Sequence, residues 1–128
     1  MVWKGMDDVL LSHWKRPRAL RVASTLKRCL SDYMVRGAFL ERHLCGRECT
    51  ITRVELSKDM RRATIYVIPF MEESDVPVSP RALVHALNQL VPMVRRHLGR
   101  QLSLKRVPLL FFKHDAAYER MWHDTHVG

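Results

Sequence analysis

CTITRVELSKDMRRATIYVIPF, residues 49–70, decides the fold. It reads as two strands around a short turn. In the first, CTITRVEL, strict alternation puts Thr52, Val54 and Leu56 on one face and Ile51, Arg53 and Glu55 on the other. In the second, RRATIYVIPF, Ala63, Ile65 and Val67 oppose Thr64, Tyr66 and Ile68. Ser57-Lys58-Asp59-Met60 joins them as a turn-forming segment without glycine, so a hairpin is the simplest connection. Pro69 closes the second strand.

Upstream, Leu20, Ala23, Leu26, Leu30, Tyr33 and Met34 recur at three- and four-residue steps from about Arg18. That spacing predicts a helix with one apolar stripe, stopped near Gly37. Residues 1–17 read as a tail and 38–49 as a loop with some buried contacts. Downstream, the acidic MEESDVPVSP is an exposed loop. Ser79-Pro80 starts a helix, with serine as cap and proline at the first position. The apolar pattern Leu83, Ala86, Leu87, Leu90, Val91, Val94, Leu98 continues to about Leu102. Pro92 removes a backbone donor and clashes with the preceding turn, so the helix kinks or splits at Leu90-Val91-Pro92. Gly99 is a second weak point. LLFFK, from Leu109, predicts a buried strand whose Phe111 and Phe112 point to opposite faces. The last stretch, 116–128, is polar and expected to fray as a C-terminal tail.

The order helix–strand–strand–helix–kink–helix–strand predicts an α+β fold, a two-layer sandwich of a three-stranded sheet with helices on one face, occupying residues 18–115. It is the type II order of a KH-like domain, without the GXXG loop that clamps a nucleic-acid backbone. The formal net charge is +9, from 22 Lys and Arg against 13 Asp and Glu. A fold does not need that excess, whereas a polyanion gives it a use. No stretch approaches the roughly 18 apolar residues of a membrane span. An odd set of cysteines (Cys29, Cys45, Cys49) and an N-terminus with Asp7 and Asp8 fit a reducing cytoplasm better than secretion.

Three blocks carry a resemblance to a known family. Arg21-Val22-Ala23, followed by Leu26 and Leu30, opens the first. Thr52 to Val67 follows the pattern T-x-V-x-[LM]-S-x-D-[LM]-x-x-A-x-[VI]-Y-V. Ala86-Leu87-Asn88 with Arg95 precedes Leu104 to Asp115, which is similar to L-x-x-x-P-x-L-x-F-x-x-D. The chain resembles the ribosome-binding factor A family over nearly its whole length. The resemblance implies a KH-like monomer that binds small-subunit (16S-type) ribosomal RNA and assists late maturation and 5′-end processing of its precursor. Such proteins support growth in the cold, leave before translation, and use neither cofactor nor metal. Members carry Ala-x-Gly where this chain has Leu90-Val91-Pro92. Proline supplies a bend but admits a phosphate less closely than glycine, so contact is expected from side chains.

The expected RNA-binding side chains are Arg18, Arg21, Lys27, Arg28, Arg61, Arg62, Arg95, Arg96, Arg100, Lys105 and Arg106. Arg96 and Arg100, an i, i+4 pair, share one helical face. Tyr66 has the chemistry to stack a base, though a core or interface role is the commoner use. His43, Cys45 and Cys49 form H-x-C-x3-C but lack a fourth zinc ligand nearby. The alternatives are a generic basic RNA binder and, from another class, a metal-dependent phosphodiesterase using His114, Asp115, His123, Asp124 and His126. The latter needs rigid support from a segment expected to fray. No P-loop, H-E-x-x-H or G-x-S-x-G is present, so no catalytic residue is assigned.

Overall fold

A computed structural model of the chain describes residues 17–34, 49–69, 79–102 and 104–127. Its elements are α1 (Pro17–Met34), β1 (Cys49–Leu56), β2 (Arg62–Pro69), α2 (Pro80–Gln89), α3 (Val91–Gln101), β3 (Leu109–His114) and α4 (Ala116–Val127). The N-terminal tail, the stop at Gly37, the 38–48 loop and the acidic loop after Pro69 lie outside the described residues.

The sheet runs β1-β2-β3, with β1 antiparallel and β3 parallel to the central β2. This is the α+β, KH-like order expected. Val22, Leu26, Leu30 and Met34 recur every fourth residue of α1 and are all buried, whereas Leu20, expected in that stripe, is 40% exposed because the buried face passes through Val22 instead. They meet Leu83 and Leu87 of α2, Val94 and Leu98 of α3, and the inward residues Ile51, Ala63, Ile65, Val67, Leu110 and Phe112 of the sheet. One continuous core therefore lies between the three helices and one sheet face. Tyr33 of α1 stacks on His97 of α3, with centroids 3.7 Å apart and planes within 6°.

The strict alternation expected for β1 is corrected by a bulge. Ile51 pairs with Val67, but Arg53 pairs with Tyr66, so Thr52 is the extra residue between them. The bulge moves Ile51 to the core, where it is 5% exposed, on the side that Val54 and Leu56 also approach. Arg53 and Glu55 are left on the outer face with Tyr66.

The hairpin turn closes without glycine. Met60 takes the left-handed conformation, at φ 59°. Ser57 Oγ donates to Asp59 Oδ1 (2.7 Å) and accepts from Arg62 N (3.0 Å), Asp59 Oδ1 accepts from Arg61 N (3.0 Å), and Met60 N donates to Ser57 O (2.9 Å). Those local bonds hold the chain in a conformation that methionine seldom adopts.

Ser79 caps α2 by accepting from Ala82 N, with Pro80 at the first turn. The helix breaks at Leu90, which caps both α2 and α3 with φ −90° and ψ 0°. Pro92 lies in the first turn of α3, where its missing N–H costs nothing. Gly99, by contrast, is accommodated within α3, and a Cβ there would meet Val107 Cγ2 at an ordinary 3.7 Å. Gly99→Ala is expected to raise stability by about 0.5–1 kcal/mol. A lower thermal midpoint would contradict the room seen at that position.

Asn88 fastens α2 to the edge of the sheet. Its Oδ1 accepts from Phe112 N (2.8 Å) and its Nδ2 donates to Phe112 O (3.1 Å). The two bonds satisfy the outward backbone groups of an edge strand. Asn88→Ala is expected to cost about 2 kcal/mol, because both groups lose their partner. Denaturant unfolding checks this, and a loss below about 0.5 kcal/mol would refute the clamp.

The frayed end expected for 116–128 is also corrected, since residues 116–127 form α4. Asp115 N donates to Val67 O (2.9 Å), continuing the ladder from β3, and Asp115 Oδ1 accepts from Tyr118 N (3.1 Å) as the helix cap. Glu119 follows in the first turn, where the helix dipole favours an acid.

Candidate nucleic-acid interface

Five of the expected basic residues converge on one groove. Arg18 extends the buried stripe of α1 by one turn beyond Val22, so it arrives at the rim of the core. Arg61 leaves the hairpin turn, Arg95 comes from α3, and Lys105 and Arg106 from the segment entering β3. They surround a cavity of about 430 Å³. Arg95 is half-buried and fixed: its Nε donates to Pro108 O (3.0 Å) and its Nη2 to Val107 O (2.9 Å). It thus ties the approach to β3 against α3 and adds charge to the wall. A shallower cleft next to it is lined by Pro92, Arg95, Arg96, Arg106 and Val107. The helix break at Leu90 therefore opens beside the basic groove, with Arg96 on its border.

The other expected residues do not join this cluster. Arg21, Lys27 and Arg28 are exposed along α1, Arg62 is exposed at the start of β2, and Arg100 is exposed one turn beyond Arg96. None of them lines either cavity. Exposed Arg81 and Lys113, which the sequence reading passed over, meet at a third cleft beside the cap of α2. Asp59 also lines the basic groove and was not singled out, although its place in the S-x-D turn is visible in the sequence. Its carboxyl is held below the usual range, first by the Ser57 hydroxyl and then by the Arg61 amide.

Tyr66 is engaged on the outer sheet face. The Arg53 guanidinium lies 4.0 Å from its ring centroid, and Arg53 Nη1 meets Glu55 Oε1 at 2.7 Å. One face of the ring is thereby covered.

Two of the residues weighed as metal ligands, Asp115 and His114, have other partners. Asp115 is 6% exposed, accepts from the Thr52 hydroxyl at 2.6 Å and from Tyr118 N, and forms an ion pair with Arg53 Nε at 3.6 Å. Burial alone would raise its carboxyl, but the Thr52 and Tyr118 bonds and the charges of Arg53 and His114 outweigh burial and lower it. His114 Nε2 is hydrogen-bonded to Glu119 Oε2. Among the described residues no three His, Cys, Asp or Glu side chains are grouped to hold a metal. The side chains of His123, Asp124 and His126 lie outside the described set, as do His43 and Cys45. Cys49 is buried in the core, and burial pushes its thiol up to about 11. No described helix is long and apolar enough to cross a membrane.

Comparison with known proteins bears on the family and the fold. A family profile described as "Ribosome-binding factor A" matches residues 18–125. A ribosome-binding factor A of Paramagnetospirillum magneticum is 30% identical over 102 residues, covering 80% of this chain and 68% of that protein. One of Phenylobacterium zucineum is 33% identical over 113 residues, covering 84% and 74%. The crystal structure of ribosome-binding factor A from Thermus thermophilus aligns with a TM-score of 0.58 at 25% identity, covering 75% of this chain and 93% of that one. The profile spans the helices, the bulged hairpin and the strand that together build the groove, and on that match the chain belongs to the ribosome-binding factor A family.

Proposed function

We propose that this chain binds precursor small-subunit (16S-type) ribosomal RNA through the basic groove and the adjoining face of α3. Residues 18–115 form the binding unit. The protein acts as a cytoplasmic monomer in late maturation and 5′-end processing, and departs before translation. It makes and breaks no covalent bond: its binding free energy favours one arrangement of the RNA, which processing enzymes then cut. The observation that carries this reading is the convergence of Arg18, Arg61, Arg95, Lys105 and Arg106, from four separate parts of the chain, on one groove. Lys and Arg held at fixed spacing displace counterions from a phosphate backbone, which makes binding strong and salt-dependent. Family membership directs that polyanion reading to the ribosome.

Co-sedimentation of the protein with free small subunits, free large subunits and whole ribosomes across a salt series tests it. Salt-sensitive binding to free small subunits alone is the expected result. Equal binding to all three would reduce the protein to a generic basic nucleic-acid binder, and no binding at low salt would refute the reading.

A further inference from the structure

Phosphate binding needs only cations, yet the groove has an apolar floor and one carboxylate. Val22, Met60, Leu104, Val107 and Pro108 supply the floor, and Asp59 stands among the cations of the rim. A volume of about 430 Å³ is in the range of sites that enclose a small ligand, roughly 300–1,000 Å³. An apolar surface beside phosphate-binding cations suits a nucleobase still attached to its backbone.

Asp59 narrows the choice of base. Its Oδ1 is occupied by Ser57 Oγ and Arg61 N, while Oδ2 has no hydrogen-bond partner among the described residues. An ionised carboxylate only accepts, so it selects a base edge that donates. Guanine carries adjacent N1 and N2 donors and, on its other edge, the O6 and N7 acceptors that Arg and Lys recognise best. Uracil has one ring N–H between two carbonyls, cytosine sets a single amine beside its N3 and O2 acceptors, and adenine has an amine beside N7, so none of the three joins two adjacent donors to two adjacent acceptors. A single carboxylate in a ring of cations matches guanine more fully than any other base.

We propose that this cavity takes an unpaired guanine of the RNA, its ring on the apolar floor, its N1 and N2 donors toward Asp59 and its O6 and N7 toward the basic rim. The proposal rests on the RNA-binding reading above. The turn that presents Asp59 is already tied by the four hydrogen bonds around Ser57, Asp59 and Met60, so the acceptor is in place before RNA arrives.

The test is a fluorescence titration of the full chain with a labelled eight-nucleotide oligouridylate and the same oligomer bearing one central guanosine, at several salt concentrations. The guanosine oligomer is expected to bind about tenfold more tightly with the same salt slope. Asp59→Asn keeps an oxygen for Ser57 and Arg61. It is expected to reduce that preference to less than about twofold, with oligouridylate bound as tightly or more tightly because a negative charge leaves the groove, and with a folded circular-dichroism spectrum. Equal affinity of the native chain for both oligomers would overturn the guanine site and leave phosphate binding standing. No binding of either at low salt would overturn the RNA reading as well. A preference that survives Asp59→Asn would overturn the role of the carboxylate. Displacement by equimolar GMP would overturn the RNA-borne form in favour of a free nucleotide.

Discussion

Replacing Asp115 with alanine is expected to destabilise the protein by about 3 kcal/mol and lower its thermal midpoint by roughly 10 °C. The carboxylate is almost fully covered, and three residues from two parts of the chain depend on it: the neighbours Thr52 and Arg53 at the bulge of β1, and Tyr118 in the first turn of α4. Removing it leaves the Tyr118 amide without its cap and takes one of two counter-charges, the other being Glu55, from the Arg53 side chain. Asp115→Asn, whose oxygen still caps the helix, is expected to cost about 1 kcal/mol. The pH dependence has a definite sign. Because the folded carboxyl lies below its unfolded value of about 3.9, its contribution is fully present above that value and is lost as pH falls through the lower folded pKa. Acid unfolding of Asp115→Asn should therefore be shallower than that of the native chain in this window. A cost under about 1 kcal/mol for the alanine variant would show that α4 is seated by other contacts.

Reversing two charges on α3, Arg96→Glu with Arg100→Glu, is expected to weaken binding to immature small subunits by about tenfold or more at low salt. The same change should reduce the salt slope by about two, one for each phosphate contact removed. Neither side chain has a hydrogen bond or ion pair among the described residues, and neither belongs to the core, so the fold should survive. Circular dichroism and the thermal midpoint serve as controls. Unchanged binding by a folded variant would move the RNA interface off this helical face. The same pair of substitutions should leave the guanosine preference of the short oligomers intact, since neither residue lines that cavity.

The two sites differ in legibility. Arg96 and Arg100 could be placed on one face from their spacing alone, because a helix repeats every 3.6 residues whatever it packs against. The role of Asp115 could not be read that way. It stood in L-x-x-x-P-x-L-x-F-x-x-D and was weighed with the nearby histidines as a metal ligand, and neither reading named its partners. Its partner Thr52 lies 63 residues away, and only the folded sheet brings the two within 2.6 Å.

By itself the sequence determined the features that arise from local periodicity and local chemistry. It set most of the apolar stripe of α1, the two strands around Ser57–Met60, the Ser79 cap, the break that Pro92 forces, and the opposite facing of Phe111 and Phe112. It also carried the excess of positive charge from which a polyanionic partner was expected. Tertiary structure alone decided three things. The bulge at Thr52 moved Ile51 inward, because one extra residue shifts the pleat without changing any residue type. Helix α4 formed from a polar segment with a weak apolar stripe, because its cap is held by the sheet and not by its own sequence. The groove drew Arg18, Arg61, Arg95, Lys105 and Arg106 together and left Arg21, Lys27, Arg28 and Arg62 outside. Spacing along a chain determines which side chains share an element's face, whereas convergence between elements depends on how those faces pack around the core.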